Sequence, residues 1–165
     1  MGIPLRNTLG SMPNEPTASA QAPLEETTAV DAKAPYGSTE LLVLVVERDP
    51  HVRELEAHFL QHAGFQVAFA TDGQEALAQA RERVPDVLIT EVLVPKLDGL
   101  ALCRLLKQDP RTKDISVLVF SILAANSRAL EAGADAFLKK PLAEQRLITT
   151  VKTLIDNRPR KANAP

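Results

Sequence analysis

The chain has 165 residues, a formal net charge of −2 and one cysteine, Cys103. That length supports one ordinary domain, the evenly mixed charges give no electrostatic footprint for nucleic acid, and a lone cysteine excludes an internal disulfide and fits a reducing compartment. The longest apolar runs are of strand length, so no membrane span is expected. Neither a secretory signal nor a myristoylation motif stands at the N-terminus, where Arg6 takes the place of the required Ser or Thr, and a cytoplasmic protein is expected.

Residues 1–39 differ in composition from the rest. Pro4, Pro13, Pro16, Pro23 and Pro35 interrupt a background of Ala, Ser, Thr, Glu and Asn, and Tyr36 is the only aromatic. No apolar period of 2 or 3.6 survives, so the segment is expected to be a disordered N-terminal tail. From residue 40 the pattern changes. Leu41-Leu42-Val43-Leu44-Val45-Val46 reads as a strand buried on both faces, and Glu47-Arg48-Asp49-Pro50 turns straight into a helix, with Asp49 as N-cap and Pro50 in the first turn. That helix is expected to run to about Ala63, with Val52, Leu55, Phe59 and Ala63 on its inward face and Gly64 as its stop.

Phe65 to Ala70 alternates as a second strand, Thr71-Asp72-Gly73 is a turn, and Gln74 to Val84 forms a helix with Leu77, Ala80 and Val84 inward. Val87-Leu88-Ile89-Thr90 is a third strand ending at Glu91. Pro95-Lys96-Leu97-Asp98-Gly99 is a loop, and Leu100 to Gln108 is a helix halted by Asp109-Pro110. Ile115 to Phe120 is a fourth strand ending at Ser121, a short helix closes at Gly133, and Ala136-Phe137-Leu138 is a fifth strand running into Lys139-Lys140-Pro141. The last helix, about Ala143 to Asp156, is expected to bury Leu147, Ile148, Val151, Leu154 and Ile155. Residues 40–157 thus make an α/β domain of (βα)₅ form, a doubly wound five-stranded parallel sheet, and residues 158–165 a short basic tail with Arg158, Arg160 and Lys161. In such sheets sites lie at the carboxyl ends of the strands, where Glu47, Arg48, Glu91, Ser121 and Lys140 all fall.

His51, His58 and His62 share one stripe of the first helix, but no acidic third ligand joins them and a polar edge is expected. Cys103 sits among leucines and reads as a buried, inert thiol. No Gly-rich loop follows the first strand, which argues against a dinucleotide-binding enzyme.

Taken in order, Val45 to Pro50, Pro85 to Glu91, Pro95 to Gly99, Val117 to Ser121 and Gly133 to Pro141 resemble the receiver domain of two-component response regulators, over about residues 40–157. The resemblance implies a flavodoxin-like fold. It also implies a site in which an acidic pair holds Mg²⁺, an Asp accepts a phosphoryl group from a histidine kinase, and a Ser or Thr and a Lys contact the phosphate. By position Glu47 and Arg48 stand for the acidic pair, Glu91 for the acceptor, Ser121 and Lys140 for the phosphate contacts, and Phe137 for the switch aromatic.

The sequence departs from that pattern in four places. Arg48 puts a cation at a metal-ligand position, where it repels a dication by on the order of 8 kcal/mol at ~4 Å and an effective dielectric of ~20. Glu91 carries one methylene more than Asp, a displacement of roughly 1 Å that can cost ~100-fold in rate. Ile122 replaces a small residue and is expected to crowd the entry path. The stretch from Ser121 to Lys140 is about one helical turn short, at the fourth helix.

Glu47 and Glu91 facing Arg48 and Lys140 are expected to balance without metal, with an Arg–carboxylate fork supplying hydrogen bonds. The expectation is a degenerate, pseudo-receiver form. It would be a stand-alone signalling module without catalytic residues, metal or cofactor, acting by protein–protein interaction with another signalling protein such as a histidine kinase or regulator, and not with nucleic acid or membrane. The alternative is a Mg²⁺-dependent phosphoryl-accepting regulator in a histidine-kinase phosphorelay. A flavodoxin-like small-molecule binder is a third reading, which predicts a bound chromophore or nucleotide. The oligomeric state is open.

Overall fold

The structure, a computed structural model, describes residues 40–159. The expected tail over residues 1–39 and the end of the basic tail from residue 160 lie outside the described residues. Ten elements alternate along the chain. They are β1 (Leu42–Val46), α1 (Pro50–His62), β2 (Gln66–Ala70), α2 (Gly73–Arg83), β3 (Val87–Thr90), α3 (Gly99–Gln108), β4 (Ser116–Ser121), α4 (Asn126–Glu131), β5 (Ala136–Lys139) and α5 (Glu144–Asp156). All strand pairs are parallel, in the order β2-β1-β3-β4-β5. This is the flavodoxin-like sheet the alternation predicts; β1 is an interior strand, and β3 is the middle one.

The sheet divides the core in two because successive strand residues point to opposite faces. Leu44, Val46, Leu88, Val117 and Val119 pack with Ala76 and Ala80 of α2, Leu102 and Leu106 of α3 and Ala129 of α4. Val43, Val45, Val87, Ile89, Leu118 and Phe120 pack with Leu60 of α1 and Leu147, Val151 and Leu154 of α5. Three helices start on aspartate caps. Asp49 Oδ1 accepts the His51 N–H at 2.9 Å, Asp72 Oδ1 accepts that of Glu75 at 2.8 Å, and Asp98 Oδ1 accepts those of Leu100 and Ala101, both at 2.9 Å.

Three inward faces differ from expectation. The buried side of α1 is Glu56, Ala57 and Leu60, while Leu55 is 45% exposed and Val52, Phe59 and Ala63 lie half-buried at its margin. Helix α1 is therefore rolled relative to its apolar stripe, which becomes a side wall. Val84 is not inward either. It caps α2 at a φ of 44°, and its side chain is exposed. Ile148 and Ile155 of α5 are half-buried.

The contrast between centre and margin is testable. Leu88→Ala removes a side chain from the fully buried middle strand and should cost about 2–4 kcal/mol in chemical denaturation. Leu55→Ala should cost less than about 1 kcal/mol.

Candidate functional site

The backbone ladder of the sheet continues one residue past the strands, and this positions the site. The Glu47 N–H donates to Ala70 O at 3.1 Å, that of Glu91 to Val46 O at 3.2 Å, and that of Lys140 to Ser121 O at 2.8 Å. Glu47, Glu91, Ser121 and Lys140 are thereby set side by side at the carboxyl edge. The chain after Glu91 folds back over it: the Gly99 N–H donates to Val92 O at 2.9 Å, and a Cβ on Gly99 would lie 2.2 Å from Glu91 O. Only glycine fits that approach.

Lys140 is the hub. Its Nζ lies 2.6 Å from Glu47 Oε2, 3.0 Å from Glu91 Oε2 and 5.4 Å from the centre of the Phe120 ring. Both carboxylates are buried. Glu91 is held from every side. Its Oε1 accepts the Val92 N–H at 2.6 Å and the Ser121 hydroxyl, and its Oε2 accepts the Ile122 N–H at 3.2 Å besides the ammonium. Ser121 Oγ in turn accepts the Leu123 N–H at 3.0 Å. Glu47 Oε1 accepts the Asp49 N–H at 3.0 Å, and the Arg53 guanidinium donates to Glu47 O at 3.0 Å.

Burial by itself would push the Glu91 carboxyl up, but the Ser121 hydroxyl, the Lys140 ammonium and the Val92 N–H outweigh it and hold it below its usual range. Burial likewise opposes the Lys140 charge, and Glu47 and Glu91 overcome it and raise the ammonium above its usual value. Both groups stay charged near neutral pH.

The structure does not bring Arg48 into this cluster. Its side chain is exposed, and among the described residues it forms no ion pair, so the expected Arg–carboxylate fork is absent. The cluster already holds a chain-borne cation between its two carboxylates, and a second cation gains by staying in water. Ile122 turns its N–H to Glu91 and leaves its side chain 60% exposed. Phe137 is half-buried against the core face that contains Val119, its β5–β4 register partner. His58 and His62 stack at 6.2 Å between ring centroids on the exposed side of α1. Cys103 is buried, and burial pushes its thiol up to about 11.

Mg²⁺, which the resemblance implies, does not suit these donors. Glu47 and Glu91 each already contact the Lys140 ammonium, the residue beside Glu47 is a cation, and no group of three His, Cys, Asp or Glu side chains among the described residues is placed to hold a metal.

One member of the site escapes the sequence patterns. Glu56 of α1 is only 2% exposed, and its Oε2 has no hydrogen-bond partner among the described residues. Burial first, then repulsion from Glu47 and Glu91, raises its pKa from the usual 4.5 to about 8, against an opposing pull from Lys140. The available signal was its spacing, midway between Val52 and Leu60 on an i, i+4, i+8 row.

A parallel five-stranded sheet with buried acids and a lysine at its carboxyl edge defines a doubly wound α/β signalling fold of the receiver kind. The sequence family described as the response regulator receiver domain matches residues 43–152, and the chain belongs to that family. It is 32% identical over 116 residues to the DNA-binding dual master transcriptional regulator RpaA of Synechocystis sp., a match covering 68% of this chain and 48% of RpaA. It is 36% identical over 116 residues to response regulator PleD of Caulobacter vibrioides, covering 68% of this chain and 25% of PleD. These matches thus span about half or less of the curated relatives' length. A solved putative response regulator from Chloroflexus aurantiacus superposes with a TM-score of 0.70 at 35% identity, covering 72% of this chain and 100% of that one. The chemotaxis response regulator CheY4 of Vibrio cholerae gives 0.66 at 28% identity, covering 70% and 99%.

The cluster makes two predictions. Glu56 binds its proton more tightly folded than unfolded, so its contribution is complete below about pH 4.5 and is lost as pH rises toward 8. The unfolding free energy from urea titrations should fall over that window by up to about 1.4 kcal/mol per pH unit, and Glu56→Leu should flatten the slope and raise stability near pH 8. Lys140→Met leaves Glu47 and Glu91 buried without a counter-charge and should cost about 3–5 kcal/mol in the same assay at neutral pH.

Proposed function

We propose that this receiver domain works as a degenerate, phosphorylation-independent module that acts by docking another signalling protein, such as a histidine kinase or a regulator, in the cytoplasm. The observation that carries this reading is the saturation of Glu91. Its carboxylate takes the Ser121 hydroxyl and the Lys140 ammonium, the two groups that the resemblance assigns to phosphate. With the Val92 and Ile122 N–H groups added, it has no lone pair directed at solvent without a donor. A side chain one methylene longer than Asp reaches those groups itself and supplies part of the charge a phosphoryl group would bring.

The roles follow from that geometry. Glu91 takes the acceptor position as a fixed anion, Ser121 and Lys140 read it, Glu47 orients Lys140, Arg48 stands at the rim, and Phe137 holds the switch-aromatic position. On this reading the domain binds and does no chemistry, residues 40–157 are the folded signalling unit, and residues 1–39 and 158–165 are flanking tails. Neither the DNA binding in RpaA's name nor nucleic acid or membrane contact is part of the proposal.

The test is Mg²⁺ titration followed by NMR, then incubation with acetyl phosphate and intact-mass analysis. The unmodified protein should show neither saturable Mg²⁺ shifts nor added phosphoryl mass. Single changes should not restore them, since Glu91→Asp still lacks a second carboxylate at position 48 and Arg48→Asp still lacks a correctly placed acceptor. The combined Arg48→Asp, Glu91→Asp, Ile122→Ala variant should recover Mg²⁺ binding. Phosphoryl transfer to the unmodified protein, lost in Glu91→Gln, would establish instead a Mg²⁺-dependent phosphoryl-accepting regulator.

A further inference from the structure

The side wall left by the roll of α1 has a counterpart on α5. Between the two helices lies an open groove of roughly 490 Å³, with Phe59, His62 and Ala63 on one side and Ile148 on the other. It continues into a second hollow of roughly 290 Å³ that shares Ala63 and Lys152 and adds Phe65 and Ile155. Leu55, one turn before Phe59, is exposed beside it.

The charges on the groove are arranged in a particular way. Glu144 and Lys152 both line it, both are exposed, and neither is in an ion pair among the described residues. They stand eight residues apart on α5, about 12 Å along the axis, and Ile148 is at their midpoint on the same i, i+4, i+8 row. A surface with opposite charges equidistant from an apolar centre is complementary to itself under a twofold rotation. Residue i then meets j while j meets i.

We propose that this groove is where two copies of the chain pair about a twofold axis, with the α5 helices antiparallel. The axis passes near Ile148, so the two Ile148 side chains and the flanking Phe59 side chains cover one another. Glu144 of each copy meets Lys152 of the other, which gives two ion pairs at the rim of an apolar centre. This interface lies on the helices and makes no use of Glu91, so it stands or falls apart from the state of the acidic cluster.

Sedimentation of the full chain over a concentration series tests it. The unmodified protein should show a reversible monomer–dimer equilibrium. Lys152→Glu or Glu144→Lys alone places like charges in contact twice per dimer and should weaken association by about tenfold or more. The double charge swap, Glu144→Lys with Lys152→Glu, should restore it. Both positions are exposed, and thermal melting by circular dichroism checks that each variant remains folded. A protein monomeric up to about 1 mM overturns the proposal and leaves the groove to a different protein. A dimer indifferent to the single changes, or one lost in them and not regained in the double swap, overturns it equally.

Discussion

One ammonium between two buried carboxylates governs the carboxyl edge of this domain. Lys140 lies within 3.0 Å of both Glu47 and Glu91, and so ties together the segments that follow β1, β3 and β5. Burying either acid without a counter-charge would cost more than the surrounding packing returns. The cation belongs to the chain, so its presence depends on folding and on no ion in solution. Other features follow from it. Arg48 has no charge left to meet and stays at the surface, and Glu91 finds hydroxyl and ammonium donors already aimed at its position.

The charge count in the crevice is therefore not the one the strand ends suggest. With Arg48 outside, two carboxylates face one ammonium, and a third acid, Glu56, is buried close enough to feel all three. Its proton keeps the cluster from carrying a further uncompensated charge near neutral pH. The burial of Glu56 goes with the setting of α1. Glu56, Ala57 and Leu60 face inward, and the stripe through Val52, Leu55, Phe59 and Ala63 is displaced to the flank, where it meets the half-buried isoleucines of α5.

The domain thus has two surfaces of different character. The carboxyl edge is polar, saturated and locked by main-chain ladder bonds, a construction suited to holding one conformation. The α1–α5 flank is apolar at its centre and charged at its ends, a construction suited to contact with another molecule. The helix pair that supplies the groove also buries Leu60, Leu147 and Val151 against Phe120, and Phe120 in turn lies beneath Lys140. Packing therefore connects the two surfaces.

Much of this was legible in the residues alone. The unbroken apolar runs at Leu42–Val46 and Val87–Thr90, and the Asp caps before α1, α2 and α3, are local signals, each set within a few residues, so the (βα)₅ order could be read directly. The positions of Glu47, Glu91, Ser121 and Lys140 were legible too, because parallel strands align their carboxyl ends. What could not be read was which charges would pair, since a salt bridge between residues 93 apart, as in Glu47–Lys140, depends on register and side-chain reach. Nor could the roll of α1 be read. An amphipathic stripe says that a helix has an apolar side, but only packing against β1, β2 and α5 decides how that side is turned. In that competition Ala57 and Leu60 went in, took Glu56 with them, and left Leu55 in water.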